Sequence, residues 1–171
     1  MRERYFRAMD WLHRLCLIAA GVGIVIITII IPYGVFTRYV LNSASSWPEP
    51  MAILLMIVIS FASAVVCYRE NLHIGVGILP AMLSPPAKRI LGWFIEACMM
   101  TTNVFMFWWG IKLVHTTWYQ SIAEFPIVSV GVSYLPVPIG GAITALFVIE
   151  RLMTQRFFEG PGDTAVTVTT E

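Results

Sequence analysis

The chain has 171 residues, of which 58 % are hydrophobic and 12 % charged, and its formal net charge is +1. That charged share is about half of what a soluble domain carries, and so even a balance offers nothing to a nucleic-acid backbone. A soluble domain is thereby set aside, and with no nucleic-acid partner expected an all-α integral membrane protein is left.

Residues 1–14 interleave Tyr5, Phe6, Met9, Trp11 and Leu12 with arginines, the pattern of a segment that lies among headgroups and runs into a span. The first span is predicted over residues 15–37. It is too long for the apolar part of a secretory leader, and the PYGVFTR at its end offers no small-residue cleavage site, so it is expected to be retained. Residues 38–50 (RYVLNSASSWPEP) make the first hairpin, with the turn at 42–46. Pro48 and Pro50 suit the first turn of the second helix, where a missing N–H costs least, and Glu49 suits the positive end of its dipole.

The second span is predicted over 51–68. The link 69–89 is longer than a turn needs, and its apolar middle, 72–83, is too short to cross; it is expected to lie flat at the interface. Ser84-Pro85-Pro86 marks the start of the third helix, with Ser84 as its cap. The third span covers 90–111 and is expected to continue outward, because 115–123 contains no Gly or Pro. The fourth covers 125–149. Residues 1–158 thus form one four-helix membrane domain, read as a bundle, and 159–171 a polar, disordered tail.

Four spans of about 20 residues each fit the hydrocarbon core. The positive charges orient them. Arg2, Arg4, Arg7, Arg14, Arg69, Lys88, Arg89, Arg151 and Arg156 fall on one side and only Arg38 and Lys112 on the other, which places both termini in the cytoplasm. Trp11, Tyr68 and Trp93 are expected at the inner interface, and Tyr39, Trp47, Trp108 and Trp109 at the outer one. Cys16, Cys67 and Cys98 would lie toward the inner side, reduced and without CxxC spacing.

Glu96 is the only charge inside any span, and an intramembrane acid is a functional candidate by default. It is either a proton or cation site, or a shallow carboxylate turned toward protein and paired with an Arg or Lys. His13, His73 and His115 raise the question of haem, but axial ligation needs a facing pair at matched depth. Pro136 and Pro138 interrupt the fourth span and free the carbonyls of Val132 and Tyr134. Close helix packing through Gly140, Gly141, Ala142 and Ala145 accounts for that break more cheaply than a solute site does. Arg38 and Glu49 flank the first hairpin and either pair across it or stand as separate interfacial charges. No nucleophile–base pair, phosphate loop, metal-ligand cluster or internal repeat is visible, so neither an enzyme nor a cofactor-binding chain is expected.

Three stretches, in order, resemble the small membrane subunit, the Q or DctQ-type subunit, of tripartite ATP-independent periplasmic (TRAP) transporters. Arg38-Tyr39-Val40-Leu41-Asn42-Ser43 with Ser46-Trp47-Pro48-Glu49 is similar to the family's RYxxNxSxxWxEE hairpin. Ala62-Ser63-Ala64 through Tyr68-Arg69-Glu70-Asn71-Leu72-His73-Ile74 resembles its GAA…R…HI exit from the second helix. Tyr134-Leu135-Pro136-Val137-Pro138-Ile139-Gly140 resembles its YLAxPxG fourth helix. The likeness spans roughly residues 7–156. Pro50 replaces the family's second hairpin carboxylate, and Gly77 stands where an Asp often follows His-Ile.

The resemblance implies a multi-pass subunit of the bacterial inner membrane. It would brace a large M subunit that binds sodium and substrate, while a periplasmic P subunit delivers an organic acid such as a C4-dicarboxylate or sialic acid. Sodium would belong to the large subunit, and this chain, ending in its polar tail, would be separate from it. Partner-contact candidates are then Arg38, Trp47 and Glu49 at the outer edge, His73 and Glu96 on the inner side, and Pro136 and Gly140 in the fourth helix. Two other readings stay open: an anchor subunit for a haem or quinone redox complex, and a small autonomous proton-coupled exporter using Glu96.

Overall fold

Lipid offers a backbone no hydrogen bonds, so an apolar run must satisfy its own, and a helix does so within one segment. The computed structural model describes residues 2–43, 45–70, 84–126 and 128–154. Among them are five helices: α1 (Arg2–Tyr39), α2 (Pro48–Arg69), α3 (Pro85–Thr117), α4 (Val130–Tyr134) and α5 (Pro136–Thr154). Four segments are long and apolar enough to cross a membrane, with α4 and α5 together making the fourth. The expected interfacial segment 72–83, His73 and the tail 159–171 lie outside the described residues.

The helix boundaries follow local chemistry. Residues 2–14 form no separate element but the first turns of α1, which at 38 residues is about 57 Å long, nearly twice a hydrocarbon core. After α1, Asn42 takes a left-handed φ of 48°, a conformation its short polar side chain tolerates, and Ser43 N–H closes onto the Thr37 carbonyl at 3.1 Å. Trp47 is the N-cap of α2 and Pro48 opens the helix. Ser84 occupies the N-cap of α3 in extended backbone, but its hydroxyl makes no capping bond.

The fourth helix starts at Val130 rather than Phe125, because the preceding apolar residues are used in loop closure. Val128 N–H bonds the Phe125 carbonyl at 2.8 Å, and Val130 N–H bonds that of Gln120, also at 2.8 Å. Ser129 then caps α4 by accepting from Gly131 N–H at 3.0 Å. The interruption at Pro136 is local: Leu135 keeps helical backbone, and its N–H takes up the freed Val132 carbonyl at 3.2 Å.

The expected bundle is an open row. α1 packs on α2, α2 on α5, and α5 on α3, with no extensive pairing between α1 and α3 to close the ring. The order is set by where backbones approach closely. A methyl on Gly23 would lie 2.6 Å from Ile59, and one on Gly34 3.1 Å from Pro48, so α1 nests on α2. Gly140 faces Phe61 at 3.1 Å between α5 and α2. Gly141 and Gly110 seat α5 against α3, toward the Asn103 carbonyl at 3.0 Å and Pro138 at 2.9 Å. Small residues at such crossings are what lets membrane helices gain packing contact.

Two hairpins therefore lie side by side, α1–α2 and α3–α4/α5, with α2 and α5 central. Between 17 % and 33 % of each span's apolar window is buried within the chain, so most of the surface is left for lipid or protein. The main core (Met9, Cys16, Val65, Val66, Tyr68, Phe147 and Val148) gathers at the end where α1 begins and α5 finishes, hereafter the termini end.

Candidate functional site

Above that core, α2 and α5 present matching ends, Tyr68-Arg69 and Glu150-Arg151. Arg69 stands 22 residues after the N-cap Trp47, and Arg151 stands 22 residues after the N-cap Ser129. Equal spacing brings the two arginines to one level, and their contacts are reciprocal. Each binds a carboxylate on the first helix of its own hairpin, and each also binds the residue that precedes the other arginine.

Arg69 Nη2 donates to Asp10 Oδ1 on α1 at 2.5 Å. Its Nε and Nη2 also donate to Glu150 Oε2 and Oε1 at 3.2 and 3.0 Å. Arg151 Nη1 donates to Glu96 Oε1 on α3 at 3.3 Å, and its Nη2 donates to the Tyr68 carbonyl at 2.9 Å. Each guanidinium also lies over a ring of the opposite hairpin, Arg69 5.1 Å from the Phe147 centroid and Arg151 4.6 Å from that of Tyr68. Planar forks of five donors suit this double duty, which a lysine could not reproduce.

Glu96 is 1 % exposed, and the Tyr68 hydroxyl donates to its second oxygen. Both carboxylate oxygens are thus occupied. A charge buried so deeply is tolerable only when paired and hydrogen-bonded, and breaking such a pair costs about 3–5 kcal/mol. Tyr68 was expected at the inner interface; it is buried, because its hydroxyl has this acid to serve.

Two lesser contacts reinforce the same end. The Tyr5 hydroxyl of α1 donates to the Leu146 carbonyl of α5 at 2.9 Å, which ties the outermost helix across α2. His13 Nε2 comes within 3.1 Å of Glu70 Oε1 but without the alignment of a hydrogen bond, so it adds proximity and little more.

The expected partner-contact residues fall in separate places. Glu96 sits in the brace just described. Arg38 and Glu49 are both exposed at the opposite end and make no ion pair with each other. Trp47 packs 5.7 Å from the Tyr33 ring. Pro136 opens α5, and Gly140 lies against Phe61. His13 and His115 stand on α1 and α3 at opposite ends of the row, so they are not a facing axial pair. No group of three or more His, Cys, Asp or Glu able to hold a metal occurs among the described residues.

Asp10, Glu150 and Arg151 are not marked by the sequence as site residues, and Arg69 is marked there only as a flanking charge and as part of the GAA…R…HI resemblance. The equal cap-to-arginine spacing emerges only once the structure places the N-caps at Trp47 and Ser129. It shows a reciprocity that was not visible as a sequence repeat.

Fold and site together define a multi-pass membrane protein whose helices are locked at one end by an internal charge brace. The chain belongs to the family of tripartite ATP-independent periplasmic transporters, DctQ component, which matches residues 10–157. It is also 28 % identical over 133 residues to a Haemophilus influenzae protein (strain ATCC 51907 / DSM 11121 / KW20 / Rd) named for a TRAP transporter small permease. That match covers 78 % of this chain and 82 % of the relative.

Proposed function

We propose that this chain is the small, non-catalytic permease subunit of a TRAP transporter. In this reading it braces a large membrane subunit for sodium-coupled import of an organic acid, such as a C4-dicarboxylate or sialic acid, delivered by a periplasmic binding protein. It resides in the bacterial inner membrane with both termini cytoplasmic, as the nine-to-two division of basic residues suggests. Sodium and substrate sites belong to the large subunit.

The observation that best supports a bracing role is the fate of Glu96. The one acid deep in a span is held at both oxygens by Tyr68 and Arg151, as a structural tie rather than as a carboxylate free to exchange an ion. Arg38, Trp47 and Glu49 at the other end are the candidate outer contacts for the large subunit.

The test is a pull-down of the tagged full chain from native membranes in mild detergent, read by mass spectrometry and an absorbance spectrum. A stoichiometric, colourless, large hydrophobic partner supports the reading. A lone chain, or one arriving with a haem band, overturns it. Trp47→Ala combined with Glu49→Ala is expected to reduce recovery of the large subunit; unchanged recovery removes the outer-hairpin contact. Glu96→Gln separates the bracing role from the exporter reading: the chain alone in vesicles should carry no proton-coupled flux for that change to abolish.

A further inference from the structure

On α3, away from the brace, a shallow groove of about 540 Å³ runs between Phe105, Met106, Trp109, Leu113 and, from α5, Val137. Its lining is almost wholly apolar apart from Lys112 and Thr116. Lys112 is exposed, and its Nζ lies 4.5 Å from the Trp109 ring centroid. Among the described residues it has no carboxylate partner, in contrast to Arg69 and Arg151.

Depth gives this lysine a meaning. From Arg89 to Lys112, α3 rises about 34 Å, slightly more than the roughly 30 Å of a hydrocarbon core. With Arg89 at the inner headgroups and α3 upright, Lys112 falls at the level of the lipid phosphates on the side opposite the termini, with Phe105 and Met106 below it. Trp109 beside it is the side chain that membrane interfaces favour.

We infer that this groove is a phospholipid site, with an anionic lipid's phosphate held by Lys112, its glycerol region beside Leu113 and Trp109, and one acyl chain along Phe105, Met106 and Val137. The apolar lining suits a hydrocarbon chain, and the lysine at its outer part suits the phosphate that such a chain carries. The preference for an anionic lipid follows from the missing counter-charge: a zwitterionic headgroup brings its own ammonium to the phosphate and gains less from the lysine. This inference rests on membrane embedding and on a groove that no partner subunit covers, and it does not need the transporter reading to hold.

The experiment is native mass spectrometry of the full chain, titrated with phosphatidylglycerol and phosphatidylcholine carrying identical acyl chains. The wild type should retain one phosphatidylglycerol with about a fivefold preference, the ratio expected for one basic side chain near a bilayer surface. Lys112→Gln should bring the preference to near unity, whereas Arg38→Gln, at the same end, should leave it intact. Leu113→Trp, which fills the groove, should reduce retention of both lipids. Equal retention of the two lipids by the wild type, or a preference that survives Lys112→Gln, overturns the site. So does loss of the bound lipid when the chain is isolated with its large partner, since the groove would then seat protein.

Discussion

The two ends of this helical row are held together by different physics. At the termini end, charged side chains from α1, α2, α3 and α5 reach across both hairpins, and each arginine serves its own hairpin and its neighbour. At the opposite end, cohesion stays within each hairpin. Asn42 closes one, and the bonded loop between Gln120 and Val130 closes the other. Backbone-to-backbone approach at Gly110 and Gly131 holds α3 to α5 and α4. The two hairpins are thus joined chiefly through the brace and through Gly140 against Phe61 in mid-span. A row needs such a device, since it lacks the closing contact that would hold a ring of four helices together.

The largest effect is expected at the brace. Arg151→Ala leaves Glu96 buried without its cation and should destabilise the chain by about 3–5 kcal/mol, read as a lowered unfolding midpoint in detergent. Adding Glu96→Gln should recover a good part of that loss; a double variant no better than the single one would mean the pair is not what holds the row. Tyr68→Phe removes a hydrogen bond to a charged group and should cost about 1.5–3 kcal/mol in the same assay.

At the far end the penalty is steric. Gly110→Ala places a methyl 2.9 Å from Pro138 and should cost about 1–3 kcal/mol without disturbing the brace. Paired probes on α3 and α5 should then report separation at that end alone. Asp10→Ala is the mildest change. Its carboxylate is 60 % exposed, so the loss should be about 0–1 kcal/mol and should shrink further in high salt. A large, salt-insensitive effect of Asp10→Ala would move the weight of the brace from the second hairpin to the first.

Much of the architecture is legible in the amino-acid sequence. Long apolar runs gave the spans, Asn42 and Pro48 the first turn, and the lone acid at 96 a residue to watch. Gly140 and Gly141 were rightly suspected of packing, and each faces a neighbouring helix. What could not be read was direction. Spans that are apolar all round carry no stripe to show which face meets which helix, so neither the row nor the neighbour of Gly110 could be deduced. Arg69 and Arg151 were hidden for a related reason. Near a helix end, an arginine that snorkels to the headgroups and one that turns inward toward a carboxylate have the same sequence. Only the three-dimensional meeting of Tyr68, Glu96 and Arg151 tells them apart.

The placement of the two inner ion pairs also bears on how the chain enters a bilayer during synthesis. Asp10–Arg69 lies wholly within the first hairpin and Glu96–Arg151 wholly within the second. The first hairpin can therefore be inserted with Arg69 already matched before the second has been made, and the second brings its own cation for Glu96. Docking then adds the ties from Arg69 to Glu150 and from Arg151 to Tyr68 between two units already near neutrality. A nascent chain cut between residues 96 and 151 would leave Glu96 without that cation.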